Sequence, residues 1–210
     1  FNEFKKLSDK SIIEVVNSLS KKTNFSVSNI YVMDGSKRSA HSNAYFTGFH
    51  KSKRIVFFDT LLSMLTPNEI EAVLAHEIGH YKKNHILKSM LMSLVFSFLA
   101  FYFMYNITLI DSFFYELNIN PSSPGQLIIF FSLILPSVLF FLNPFFSSLS
   151  RKNEFEADNY AKDFSNKDDL ISSLKKLYKE NLTILKTSPL YSSIYNSHPT
   201  VFERINNLKS

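Results

Sequence analysis

The 210-residue chain contains no cysteine. That absence excludes disulfides and thiolate metal ligands, and leaves the compartment open. No signal peptide, internal repeat or long low-complexity tract is visible in the sequence. Charge is missing from two long stretches, Leu91 to Ile110 and Leu127 to Phe146, each of 20 residues. The segment joining them, Asp111 to Gln126, has two acids and lacks Lys and Arg. The net charge of +5 comes from basic residues that scatter rather than cluster, so nucleic-acid binding is not expected.

What these stretches do contain is apolar and rich in phenylalanine, of which the chain has 22. Twenty helical residues rise about 30 Å, the thickness of a bilayer core. Pro136 and Pro144 lie in the second stretch, and membrane helices tolerate proline better than soluble ones. Lys82, Lys83 and Lys88 flank the first stretch, and Arg151 and Lys152 flank the second. The positive-inside rule then puts both outer ends in the cytoplasm and the connecting loop on the far side. A soluble protein with two buried core helices is the alternative, and the charge-free phenylalanine runs argue against it. A channel or transporter fragment is opposed by the lack of an ionisable residue within the runs.

Thr66-Pro67-Asn68-Glu69 fits a capping box with proline at the first helical position. Ile70, Val73, Leu74 and Ile78 follow at helical spacing, predicting a helix from about Pro67 to Asn84. Its middle carries His76-Glu77-Ile78-Gly79-His80, an H-E-x-x-H pattern. Histidines four apart share a helix face and can bind one Zn²⁺, with the glutamate as general base toward a water. A chance pair among the six histidines is the competing reading. Zinc needs a further protein ligand, and cysteine is excluded. Glu154 and Asp158 are i,i+4 on a helical-looking segment, whereas Glu156 points elsewhere. One carboxylate of the pair is expected on the metal and Asp158 behind it, orienting a ligating histidine. His41, His50 and His85 have no partner pattern and read as surface or interfacial residues.

H-E-x-x-H followed by Ser150-Arg151-x-x-Glu154-x-x-Ala157-Asp158 resembles the integral-membrane zinc proteases of the CAAX prenyl protease 1 type, with HtpX-type proteases more distant. Arg38 to Phe49, Lys53 to Leu62 and Tyr195 to Arg204 are similar to further motifs of that family, in the same order. The resemblance implies His76, His80 and Glu154 as ligands of one Zn²⁺ per chain, and Glu77 as general base. It implies His198 as oxyanion stabiliser and Arg204 as partner of a carboxylate near the site. Asn43, Ala44 and Tyr45 match a cleft-lining strand that pairs with substrate backbone. Without it, His198-Pro199 reads as a turn, and Arg204 as a solvated helix residue. The implied activity is endoproteolysis of a peptide or protein substrate, prenylated at a C-terminal CAAX motif. The implied setting is a multi-pass membrane protein, in the endoplasmic reticulum of a eukaryote or the inner membrane of a bacterium. In a bacterium, HtpX-like quality control is the better expectation. Members of the family carry further membrane helices ahead of the region equivalent to Phe1. A scaffold retaining a structural zinc is the non-catalytic alternative, and the intact Glu77 counts against it. Oligomeric state is not legible.

The expected fold is mainly α with a small β-sheet: one zincin-like catalytic domain, 1–210, interrupted at 88–149 by a transmembrane hairpin with helices at about 91–110 and 127–146. Short strands are expected at Asn29–Met33, Asn43–Phe49 and Lys53–Phe58. Further helices are expected at Ser8–Lys22, around Glu154, at Asp168–Leu185 and at Thr200–Leu208.

Overall fold

A computed structural model describes residues 3–37, 42–47, 53–120, 123–180 and 188–210. Four short strands form one mixed sheet: β1 (Phe4–Lys6), β2 (Asn29–Met33), β3 (Ala44–Thr47) and β4 (Arg54–Phe58). Their order is β1-β2-β4-β3. The β2–β4 pair is parallel, with Ile30 opposite Ile55, and the outer pairs are antiparallel. Ile55, Val56 and Phe57 of β4 are all buried, as expected of a strand covered on both faces. Strand β3 is therefore an edge, paired on one side with β4.

Helices α1 (Lys10–Thr23), α3 (Pro67–Lys82), α7 (Lys167–Glu180) and α9 (Val201–Lys209) pack with the sheet around one core. Ile12, Val16 and Leu19 of α1 meet Ile55 and Phe57 there, with Ile70, Leu74 and Ile78 of α3 and Leu170 and Leu174 of α7. The capping box at Thr66 forms: the Thr66 N–H donates to Glu69 Oε2 at 2.8 Å, and the Glu69 N–H to Thr66 Oγ1 at 3.4 Å. Thr200 and Glu203 build the same device at the start of α9. Short elements α2 (Asp59–Met64), α5 (Asp111–Glu116), α8 (Pro189–Tyr195) and β1 were not expected. Runs of three to seven residues are too short to declare a period. Residues 48, 49 and 181–185, assigned above to a strand and a helix end, lie outside the described residues, as do His41 and His50.

Both charge-free stretches are helical. The first belongs to α4 (His85–Thr108), which starts six residues earlier than expected. The second is a correction: α6 runs unbroken from Pro124 to Phe164, so the apolar run and the Glu154 segment are one 41-residue helix. It is about 60 Å long. Neither proline ends it, and only serines and Leu149 separate Phe146 from Arg151, with no glycine or turn signal to stop propagation. Both helices are long and apolar enough to cross a membrane, and none of their most apolar stretch is buried. Phe98, Phe101, Ile128 and Leu133 stand about two-thirds exposed or more, which a core helix of a soluble domain would not show.

Glu69 ties the start of α3 to α7. Its carboxylate is buried, accepts from Ser172 Oγ and Lys176 Nζ at 2.7 Å each, and closes the Thr66 cap. Burial pushes this carboxyl up, but Lys176, Ser172 and Thr66 outweigh it and hold it at about 2, against an ordinary 4.5. A carboxylate depressed by folding stabilises above its unfolded pKa, and that stabilisation is lost as pH falls through the folded one. Glu69→Gln keeps an N3 capping side chain but removes the charge. In detergent melts at neutral pH the variant should be less stable by on the order of 2–3 kcal/mol. The gap between parent and variant should close between pH 4.5 and about 2. A gap that stays constant across that window would refute the assignment.

Candidate metal centre

His76, Glu77 and His80 sit mid-way along α3, where the 3.6-residue repeat puts both imidazoles on one face. Their Nε2 atoms are 3.1 Å apart. Helix α6 crosses this face and brings Glu154, whose Oε2 lies 3.5 Å from His76 Nε2 and whose Oε1 lies 3.5 Å from His80 Nε2. Gly79 permits the crossing. A Cβ on Gly79 would come within 3.1 Å of the Cα and carbonyl oxygen of Ala157 and the Cβ of Tyr160. Among the described residues, His76, His80 and Glu154 form the group that could hold a metal ion.

The arrangement fits a four-coordinate divalent metal. Tetrahedral ligands 2.0–2.1 Å from a common ion stand about 3.3 Å from one another; the two imidazole Nε2 atoms here are 3.1 Å apart, and Glu154 reaches each with one of its two oxygens at 3.5 Å. Charge points the same way. When ionised, Glu77, Glu154 and Asp158 outnumber the Arg204 guanidinium, an excess of negative charge that holds His76 and His198 above the ordinary imidazole range and that a divalent cation would answer in their place. Burial pushes the Glu154 carboxyl up, yet hydrogen bonds with His198 and His76 hold it well below the carboxylate range. Burial lowers His80 to about 4, leaving the neutral imidazole that ligation requires. One side of the group opens into a cleft of about 670 Å³ that also touches Asn43, Glu77 and His198.

Asp158 lies behind His76 and is fully buried. His76 Nδ1 is 2.9 Å from Asp158 Oδ1, which leaves Nε2 facing Glu154. Arg204 of α9 grips Asp158 through Nε at 2.8 Å and through Nη2, and is itself buried rather than solvated. Three helices distant in sequence thus meet through one buried carboxylate. His198 stands at the cleft edge, exposed, with Nδ1 3.0 Å from Glu154 Oε1. Asn43 and Ala44 line the cleft at the start of β3. Tyr45 does not; it faces a second, apolar groove shared with Glu77 and His80. Glu77 is partly exposed in the cleft, its carboxyl raised by burial and by Glu154 against the pull of His76.

Three functional-looking contacts were not anticipated. His85 is no surface residue: it is buried, with Nδ1 3.0 Å from His80 Nδ1 and Nε2 3.2 Å from Glu156. A sequence offset of five gave no helical reason to pair it with His80. Asn84, in the left-handed region at φ 55°, breaks the helix between them and folds the ring back. Arg151, read above as a flanking charge within the resemblance motif, donates to the carbonyls of Ser192 and Asn196 at 2.9 and 3.0 Å. Tyr178 donates to the Pro199 carbonyl at 3.0 Å, so the loop carrying His198 is held on both sides.

The model of peptidase family M48 matches residues 6–210. CAAX prenyl protease 1 of Saccharomyces cerevisiae is 40% identical over 221 residues, covering 98% of this chain and 49% of that protein. The CAAX prenyl protease 1 homolog of Homo sapiens is 35% identical over 252 residues, covering 100% of this chain and 52% of its own length. The crystal structure of S. mikatae Ste24p superposes with a TM-score of 0.87 at 38% identity, over 100% of this chain and 52% of that one. The chain belongs to peptidase family M48 and spans about half the length of the curated relatives it matches.

Arg204→Leu leaves the Asp158 carboxylate buried without its counter-ion. Breaking one partner of such a pair costs about 3–5 kcal/mol. Thermal unfolding in detergent should show that loss, and Arg204→Leu combined with Asp158→Leu should cost less than the two single losses added. Strict additivity would mean the pair is not coupled.

Proposed function

We propose that this M48 chain is the catalytic portion of a membrane-bound zinc endopeptidase that cleaves prenylated C-terminal CAAX segments. The observation that carries the reading is the His76–His80–Glu154 group, with an open side and Glu77 beside it. A structural zinc normally closes with four protein ligands, whereas two histidines and a glutamate with an open position are a hydrolytic set. When bound there, Zn²⁺ would supply Lewis acidity to the scissile carbonyl and to a water. Glu77 takes the proton from that water as its oxygen adds to the carbonyl carbon, and gives it to the amine nitrogen as the C–N bond breaks. His198, on its clamped loop, serves as an oxyanion donor, a role worth roughly 2.7–4 kcal/mol. Asp158 and Arg204 hold His76 in the tautomer that leaves Nε2 free.

Substrate backbone would add to the edge of β3, unpaired among the described residues, at Asn43, Ala44 and Tyr45. The prenylated class is supported by the names of the relatives and by the groove beside Glu77. That groove holds about 550 Å³ and is lined by Tyr45, Phe46, Tyr81, Ile86, Leu87 and Met90. Its last three residues stand on the exposed apolar surface of α4, so a lipid-attached segment would reach the site along it. In this reading residues 1–210 are one catalytic domain, with the 91–110 and 127–146 stretches as a bilayer-spanning hairpin. The basic flanks support a metal side facing the cytoplasm, and the eukaryotic sources of the relatives favour the endoplasmic reticulum membrane over a bacterial inner membrane in this reading.

Zinc content and hydrolysis should be measured in detergent for the parent and Glu77→Gln, on a farnesylated CAAX peptide and its unmodified twin. Zinc should be stoichiometric in both proteins, and cleavage should fall about 10²–10⁴-fold in the variant. A folded chain without zinc would overturn the metal assignment. Equal rates in parent and variant would remove Glu77 from the chemistry. A parent that prefers the unmodified peptide would remove the prenyl group from the specificity.

A further inference from the structure

We propose that His85 is a positioning residue for the metal centre: it fixes the tautomer and orientation of His80 by hydrogen bonding, with Glu156 bracing it from behind. This rests on the reading of His80 as a metal ligand. The two histidines of H-E-x-x-H are supported differently. His76 meets the Asp158 carboxylate directly. Among the described residues, His80 meets no carboxylate on its far side; its Nδ1 faces His85 Nδ1 at 3.0 Å, and His85 Nε2 faces Glu156 Oε2 at 3.2 Å. The His80 and His85 rings lie edge to face, 5.0 Å between centroids.

The proton positions follow from the chain of contacts. An ionised carboxylate only accepts, so His85 Nε2 must donate to Glu156. A neutral His85 then has a bare Nδ1, which can only accept. His80 must supply the hydrogen, and its proton therefore sits on Nδ1. That leaves the lone pair of His80 Nε2 free, and Nε2 is the atom that faces His76 Nε2 and Glu154 Oε1. The relay thus selects the tautomer that ligation needs, as Asp158 does for His76. Its parts come from two places. On a continuous helix a residue five positions on would point about 140° away. The left-handed Asn84 ends α3 and starts α4 on a new axis, which returns the His85 ring to His80. Glu156 comes from α6, two positions after Glu154, on the face turned away from Asp158.

The test is Zn²⁺ affinity, measured by competition with a chromophoric chelator in detergent, for the parent, His85→Ala, His85→Gln and Glu156→Ala. Losing an outer partner of a metal histidine costs about 10–100-fold in affinity. His85→Ala should lose that much. His85→Gln should stay within about threefold of the parent, because its amide oxygen can accept from His80 Nδ1 and its amide nitrogen can donate to Glu156. Glu156→Ala, at a partly exposed position that does not threaten folding, should fall in between. Affinity in His85→Ala within threefold of the parent would overturn the proposal while leaving the metal site intact. Equal losses in His85→Ala and His85→Gln would overturn it too, since ring packing and not the hydrogen bond would then matter. A parent that binds no zinc would bring down the metal reading itself, a result distinct from either.

Discussion

The crossing of α3 and α6 at Gly79 and Ala157 is the contact on which the site depends. The two ligand sources are separated in sequence by the whole apolar hairpin, and only close backbone approach puts them within 3.5 Å. An isolated helical glycine costs about 1 kcal/mol relative to alanine. Here that cost is offset by burial of α3 against α6 and by the reach of Glu154 to both histidines. The second variable position of H-E-x-x-H is thus not variable in this chain. It is the clearance that lets a carboxylate from another helix complete the group.

Electrostatics then explains why this contact tolerates so much buried charge. Asp158 is fully enclosed, and an unpaired carboxylate there would be prohibitive. Arg204 answers it with two hydrogen bonds from α9, and His76 with a third from α3. Folding the last helix onto the domain and orienting His76 are therefore one event. The Thr200–Glu203 capping box sets where α9 begins, and Tyr178 fixes the peptide just ahead of it. His198 inherits its position from both.

Much of this was legible because it is local. The capping box at Thr66, the i,i+4 histidines, the Glu154–Asp158 pair and the charge-free runs each declare themselves within a few turns of chain. Arg204 needed the family resemblance, since nothing in its own segment distinguishes it from a solvated helix residue. Other features were hidden because they arise between segments. His85 looks unpartnered in sequence and becomes central only when Asn84 breaks the helix. Arg151 looks like a membrane-flank charge and also holds the α8 loop. The continuity of α6 was missed for another reason: the change of composition after Phe146 suggested a boundary, but it does not stop the backbone hydrogen bonding.

That continuity has a geometric consequence. Because one helix carries both the apolar run and Glu154, the height of the metal group above the apolar band is set by residue count. Glu154 lies eight residues beyond Phe146, about 12 Å along the axis, with Arg151 and Lys152 between. If the run occupies the bilayer as proposed, the basic pair sits at headgroup level and the metal group just outside it. On the other side of the hairpin, α4 starts at His85 and presents Ile86, Leu87 and Met90 to the same groove that Glu77 and His80 border. In the proposed function, a centre at that height would meet a peptide bond in water while the groove, which Glu77 and His80 also line, offers it apolar contact. A bond adjacent to a membrane-anchored residue has that same mixed character, polar at the carbonyl and apolar beside it. A rigid α6 holds the two environments in fixed register.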